Sequence, residues 1–102
     1  MKKIIDGKLY DTSLSVKLAE DGFGCPRDVG YWCEKLYRTT NGTYFLFCEG
    51  GYRSCYQKKI EPNTYTIGRQ IQVLSKDEAR AWMEEHADAD AYIAEFGLVE
   101  EG

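Results

Sequence analysis

Residues 31 to 51 hold two apolar and aromatic runs, YWCEKLYRT and TYFLFCEGG, on either side of Asn41-Gly42. Runs of that length flanking a turn-forming pair predict a β-hairpin. A two-residue loop would pair Leu36 with Phe47. A three-residue loop ending in a Gly42 bulge would pair Leu36 with Leu46 and Tyr37 with Phe45. The second is favoured, because it matches apolar partners and keeps Glu34 from facing Glu49. Upstream, KIIDGKLY places Ile4 and Ile5 before an Asp6-Gly7 turn and Leu9 and Tyr10 after it, the pattern of a short hairpin or bent edge strand. Asp11 or Thr12 can then cap a helix in which Leu14 and Leu18 share a face and which Gly22 ends. FGCPRDVG, residues 23 to 30, reads as a loop around Pro26.

After Gly50-Gly51, the residues Tyr52, Cys55, Tyr56 and Ile60 recur at the spacing of a short helix or helical turn that Pro62-Asn63 stops. Tyr65, Ile67, Ile71 and Val73 alternate with mostly polar positions, as in a half-buried strand that Gly68 can bulge. Ser75 and Glu78 form an SxxE capping box at the start of a last helix, with Asp77 favourable near its positive end. From there Ala79, Trp82, His86, Ala89, Ile93 and Phe96 step by three and four, an apolar stripe that Gly97 ends. Asp88 and Asp90 are poor interior formers, so the helix either runs on or breaks near 87 to 90, with Asp90 able to cap a second piece. The chain therefore predicts an α+β fold: a small antiparallel sheet of three to five strands with a central Asn-Gly hairpin, packed against a C-terminal amphipathic helix and one or two short helices.

At 102 residues, 43% of them hydrophobic, the chain suits a single domain over residues 1 to 102 with one core. A 29% charged content without low-complexity tracts argues against disorder. MKKIIDGKLYD lacks the apolar core of a signal peptide, and no run is long enough to span a membrane, so a cytoplasmic protein without a membrane partner is expected. Cys25, Cys33, Cys48 and Cys55 form no CxxC pair, so neither a metal nor another cofactor is expected. Two disulfides are arithmetically open, but a reducing compartment favours free thiols.

Candidate chemistry is sparse. His86 is the single histidine, and it falls on the apolar stripe, where a packed imidazole is the better expectation than a catalytic base. No nucleophile elbow, zinc-protease or phosphate-loop motif is present, and no enzymatic activity is expected. EGGYRSCYQKK combines Gly50-Gly51 amides that could cradle an anion with Tyr52, Arg53, Tyr56, Lys58 and Lys59, which could stack and neutralise nucleic acid. A turn leading into a surface helix accounts for the same residues. Tyr31, Tyr37 and Tyr44 offer a further stacking platform on the hairpin, without the order of an RNA-recognition motif.

Charge is divided unevenly. Residues 1 to 74 carry 11 Lys and Arg against 8 Asp and Glu, residues 75 to 102 carry 2 against 9, and the net charge is −4. Opposite the apolar stripe, Asp77, Glu84, Asp88 and Glu95 would form one outward row, with Glu78, Glu85 and Asp90 flanking the stripe. On an unbroken helix that row extends about 27 Å, against about 34 Å for a duplex turn. A solvated amphipathic face explains most such rows. Here, however, no Lys or Arg follows Arg80, so the Glu-Lys pairs that usually support a solvated helix are missing.

Three segments, KIIDGKLYDT, LYRTTNGTYFLFCEGG and IQVLSKDEARAWMEEH, together resemble small uncharacterised proteins carried by phages and conjugative elements of gut-type bacteria. The shared features are turns and a helix cap, so the resemblance implies context and no catalytic residue. In that context a compact acidic domain resembles anti-defence inhibitors, anti-CRISPR proteins among them. The resemblance implies a non-catalytic inhibitor of a host protein in the bacterial cytoplasm, such as a CRISPR effector nuclease. Asp77, Glu84, Glu85, Asp88 and Glu95 would face its nucleic-acid-binding surface, and Tyr52, Arg53 and Tyr56 would anchor the contact. Reversal of Glu84, Glu85, Asp88 and Glu95 to Lys is expected to leave the fold intact. The alternative is a small nucleic-acid-binding regulator using residues 52 to 59.

Overall fold

The computed structural model describes residues 1–28, 30–50, 58–61, 64–66, 68–97 and 99–102, with 58–61 and 64–66 given by their backbone pairing alone. In chain order the elements are β1 (Lys2–Ile5), β2 (Lys8–Asp11), β3 (Val16–Phe23), β4 (Trp32–Arg38), β5 (Tyr44–Gly50), β6 (Lys58–Glu61), β7 (Thr64–Thr66), β8 (Gly68–Leu74), α1 (Lys76–His86) and α2 (Ala89–Phe96). Strands β3, β4, β5 and β8 form an antiparallel four-stranded sheet in that order, β1 pairs β2, and β6 pairs β7. The fold is α+β.

The central hairpin takes the bulged register. Leu36 opposes Leu46, Tyr37 opposes Phe45, and Glu34 faces Cys48 instead of Glu49. Gly42 sits at φ 84° and its amide donates to Thr39 O at 2.9 Å, while Thr39 N donates to Thr43 O at 2.9 Å. A positive φ at the third loop residue is what glycine permits without a Cβ penalty.

The helix expected after Asp11 is a strand. Asp11 does cap, but it caps a turn: its Oδ1 accepts from Ser13 N at 2.9 Å and Ser13 Oγ at 2.7 Å. The chain then enters β3, whose Ala19 opposes Leu36 on the adjacent apolar strand, with a bulge between Lys17 and Ala19. The four-residue spacing of Leu14 and Leu18 satisfied a helical template, but the open edge of β4 supplied a stronger partner. Gly22 does not end a helix either; a Cβ there would stand 2.7 Å from Trp32 O, so glycine permits β3 to approach β4 closely. Of the helical turn expected over 52 to 60, the part from Lys58 is strand β6, which pairs with strand-favouring Thr64 to Thr66.

Both faces of the main sheet are covered. On one, Leu36, Tyr44, Leu46, Cys48 and Leu74 pack against Ala79, Trp82 and Met83 of α1. On the other, Phe45 and Ile71 pack under Tyr10 of the β1–β2 hairpin, with Ile5 and Tyr37 alongside. Tyr37 stacks on Phe45 at 5.2 Å, and Tyr10 meets Phe45 edge-on at 5.5 Å. This two-sided cover corrects the alternation expected in β8. Ile71 is buried under the hairpin and Leu74 under the helices, whereas Val73 is among the exposed side chains.

The last helix is broken. Ser75 Oγ accepts from Glu78 N at 3.1 Å, and Glu78 Oε1 accepts from Ser75 N at 2.9 Å, closing the expected capping box. Ala87 is extended, and Asp88, not Asp90, caps α2 by accepting from Ala91 N at 2.8 Å. The break shifts the helical phase. Ala79, Trp82 and His86 lie on the inward side of α1, but α2 turns Ala91, Tyr92 and Phe96 toward the core and leaves Ala89 and Ile93 outside.

Candidate functional site

The break sorts the acidic residues into two classes. On α1, Asp77 is 95% exposed in the first turn, and Arg80 Nη1 lies 4.0 Å from its Oδ1. Two turns later Glu84 lies on the same face, exposed, with Tyr92 Oη at 3.5 Å. Glu85 beside it is 79% exposed. Asp88 lies past the end of α1, exposed, with one carboxylate oxygen occupied as the cap of α2. Asp77, Glu84 and Glu85 thus share one outward surface, and Asp88 continues it across the break.

Glu95 does not belong to that surface. It points inward from α2 with only 8% of its side chain exposed. Arg38 Nη1 donates to its Oε1, and Tyr44 Oη donates to its Oε2 at 2.6 Å. Burial, followed by the hydrogen bond to this carboxylate and its charge, pushes the Tyr44 phenol up to about 12. The same contact raises Arg38. Glu95 is therefore a bolt between α2 and the β4–β5 hairpin, and the expectation that it faces a partner is corrected. A continuous 3.6-residue period carried it outward on paper; the phase shift at Ala87 carried it in.

Other carboxylates are likewise spent internally. Glu34 Oε1 accepts from Trp82 Nε1 at 2.8 Å. Asp21 Oδ2 lies 2.8 Å from His86 Nδ1, and this hydrogen bond, then that from Gly22 N, holds the Asp21 carboxyl below its ordinary value. His86 is stacked on Trp82 at 4.8 Å and meets Trp32 edge-on at 6.1 Å, so the imidazole is a packed group that pins the end of α1 to β3 and β4. Glu49 receives Tyr31 Oη and Arg69 Nε, each at 2.6 Å. Burial pushes Glu49 up, but the two hydrogen bonds and the Arg69 charge outweigh it and hold the carboxyl low.

The tyrosine platform is not open to a ligand. Tyr31 and Tyr44 are buried, with hydroxyls committed to Glu49 and Glu95, and Tyr37 lies against Phe45. Tyr52, Arg53 and Tyr56 lie outside the described residues, as do the Gly51 amide and the side chains of Lys58 and Lys59. Among the described residues no group of three His, Cys, Asp or Glu could hold a metal ion. No described helix is long and apolar enough to cross a membrane.

No family model, curated protein or solved structure matches this chain. The site is therefore read from its own chemistry.

Among the described residues, a concavity adjoins the acidic surface. Between the end of α1, α2 and the C-terminal tail lies a groove of about 290 Å³ with Met83, Ala87, Tyr92, Ile93 and Val99 supplying its apolar lining and Glu84 and Asp88 its charge. Its key residue is Ile93, whose spacing alone places it on the buried stripe. The signal that could have relocated it was the Asp88-Ala89-Asp90 sequence, which marks a cap as well as a break.

Proposed function

We propose that this chain is a non-catalytic protein-binding inhibitor, acting in the cytoplasm of a bacterial host, whose acidic helical surface occupies a basic nucleic-acid-binding surface on its partner. The observation that carries this reading is the sorting of carboxylates. Asp21, Glu34, Glu49 and Glu95 have internal partners, whereas Asp77, Glu84, Glu85 and Asp90 stay exposed on a segment whose only cations are Lys76 and Arg80. A surface on which carboxylates outnumber cations attracts the opposite sign and speeds encounter with it. The resemblance to mobile-element proteins makes an RNA-guided nuclease the partner class of choice, since its nucleic-acid channel is lined with Lys and Arg.

The break narrows the mechanism. With 11 residues, α1 is about 16 Å long, roughly half a duplex turn. That length suits competition with a short stretch of phosphates, not imitation of a full turn.

The test is the triple variant Asp77→Lys, Glu84→Lys, Glu85→Lys, which spares the capping residues Glu78 and Asp88 and the buried Glu95. Inhibition of a CRISPR effector nuclease and the association rate with it should fall about tenfold or more, with a weaker salt dependence. The circular dichroism spectrum should not change. Undiminished inhibition by a folded triple variant would discard the acidic-surface mechanism. Direct oligonucleotide binding by the wild-type chain alone would favour a nucleic-acid regulator in its place.

A further inference from the structure

Among the described residues of the acidic C-terminal segment, two large apolar side chains remain exposed: Ile93 at 36% and Val99 at 57%. A single exposed aliphatic residue needs no explanation. These two converge on one groove, with Met83 and Tyr92 beside them and the carboxylates of Glu84 and Asp88 at its margin; among the described residues no Lys or Arg lines it. Ile93 stands there because the break at Ala87 and Asp88 rotated α2 relative to α1.

An apolar centre inside a polar margin is the arrangement in which one buried anchor contributes most of a binding energy. The groove of about 290 Å³ corresponds to on the order of ten water volumes, room for one large side chain. Charge selects the rest of the occupant. An acidic segment would be repelled by Glu84 and Asp88, and a neutral one would leave them desolvated without compensation. Nucleic acid fails on the first count, since it brings phosphates to carboxylates.

We infer that this groove seats one apolar anchor of a basic amphipathic segment on a protein partner, while Lys or Arg residues about one helical turn from that anchor meet Glu84 and Asp88. Helix-in-groove recognition has this form, with an apolar residue inserted and charges at i±3 or i±4. The inference rests on the acidic-surface reading above and adds the short-range contact that charge alone does not supply.

The full chain is titrated with two synthetic helical peptides of equal positive charge, one carrying Leu and the other Ala at a single central anchor position. Wild type should bind the Leu peptide about tenfold more tightly than the Ala peptide, and the Ile93 and Val99 methyl resonances should move only with the Leu peptide. Ile93→Gln, a neutral change at an exposed helical position, should erase the Leu advantage and keep the weaker binding of the Ala peptide. Equal affinities for the two peptides, or a Leu advantage that survives Ile93→Gln, would overturn the groove. If the Ala peptide still binds wild type and loses affinity to the triple Lys variant, the acidic surface stands without it. Binding of neither peptide removes both. A doubling of solution mass that Ile93→Gln abolishes would assign the groove to a second copy of this chain and overturn the inference.

Discussion

Glu95 shows how one side chain can change roles without changing chemistry. As an outward carboxylate it would be free to reverse; as the acceptor for Arg38 and Tyr44 it holds two layers together. We expect Glu95→Gln to destabilise the fold by about 1 to 3 kcal/mol, because it weakens two charge-assisted hydrogen bonds of a buried group. Urea denaturation measures that loss. The same variant should lower the ionisation of Tyr44 from about 12 part of the way toward the ordinary value of about 10, since burial remains when the carboxylate charge goes. Ring ¹³C resonances of Tyr44 followed from pH 8 to 13 report it. An unmoved titration would mean that Glu95 does not bear on the phenol. Asp21 gives a second residue-scale expectation. Its folded carboxyl is held low by His86, so the native state binds this proton less readily than the unfolded chain. The stability it contributes is present above the unfolded value, about 4, and is lost as pH falls through the lower folded value. Asp21→Asn should therefore be less stable than wild type at pH 7 and converge with it as the pH falls through that lower folded value. A constant offset across that range would contradict the linkage.

The same logic governs elements. The capping box at Ser75 and the bulged hairpin at Gly42 were legible in the sequence because each is local: a few residues supply both the hydrogen-bonding groups and the backbone freedom. Strand β3 was not legible. Its residues Val16 to Phe23 carry no strong alternation, and their conformation follows from pairing with β4, a partner some fifteen residues away that a local window does not contain. The break between α1 and α2 was legible as one of two outcomes. Asp88 decided it, because a side-chain oxygen that accepts from Ala91 N does the work of the helical bonds lost at Ala87. Asp88→Ala should cost about 1 kcal/mol in thermal or urea unfolding and accelerate hydrogen exchange at the Ala91 amide, while the amides of α1 before Met83 remain protected. Uniform acceleration through both helices would show that they unfold as a single unit.

At the scale of the whole molecule, the sheet separates a helical layer from the β1–β2 hairpin, and the acidity lies with the helices. The segregation follows from packing order as much as from composition. One face of the sheet supplies Leu36, Leu46 and Leu74 to the helices, and the other supplies Phe45 and Ile71 to Tyr10, so both faces carry apolar clusters and the exposed charge lies on the outer surfaces, while Glu49 and Glu95 are held inside by their partners. By itself the sequence determined the α+β class, the central hairpin with its register narrowed to two alternatives, the helix start at Ser75 and the excess of carboxylates near the C-terminus, since these depend on local turn chemistry, apolar runs and composition. Tertiary structure alone decided which carboxylates remain available. Asp77, Glu84 and Glu85 stay in solvent because α1 presents its opposite face to the sheet. Glu95 is withdrawn and Ile93 exposed because α2 starts anew from Asp88, and a rotation of that kind is set by what each helix packs against, which no single helical period contains.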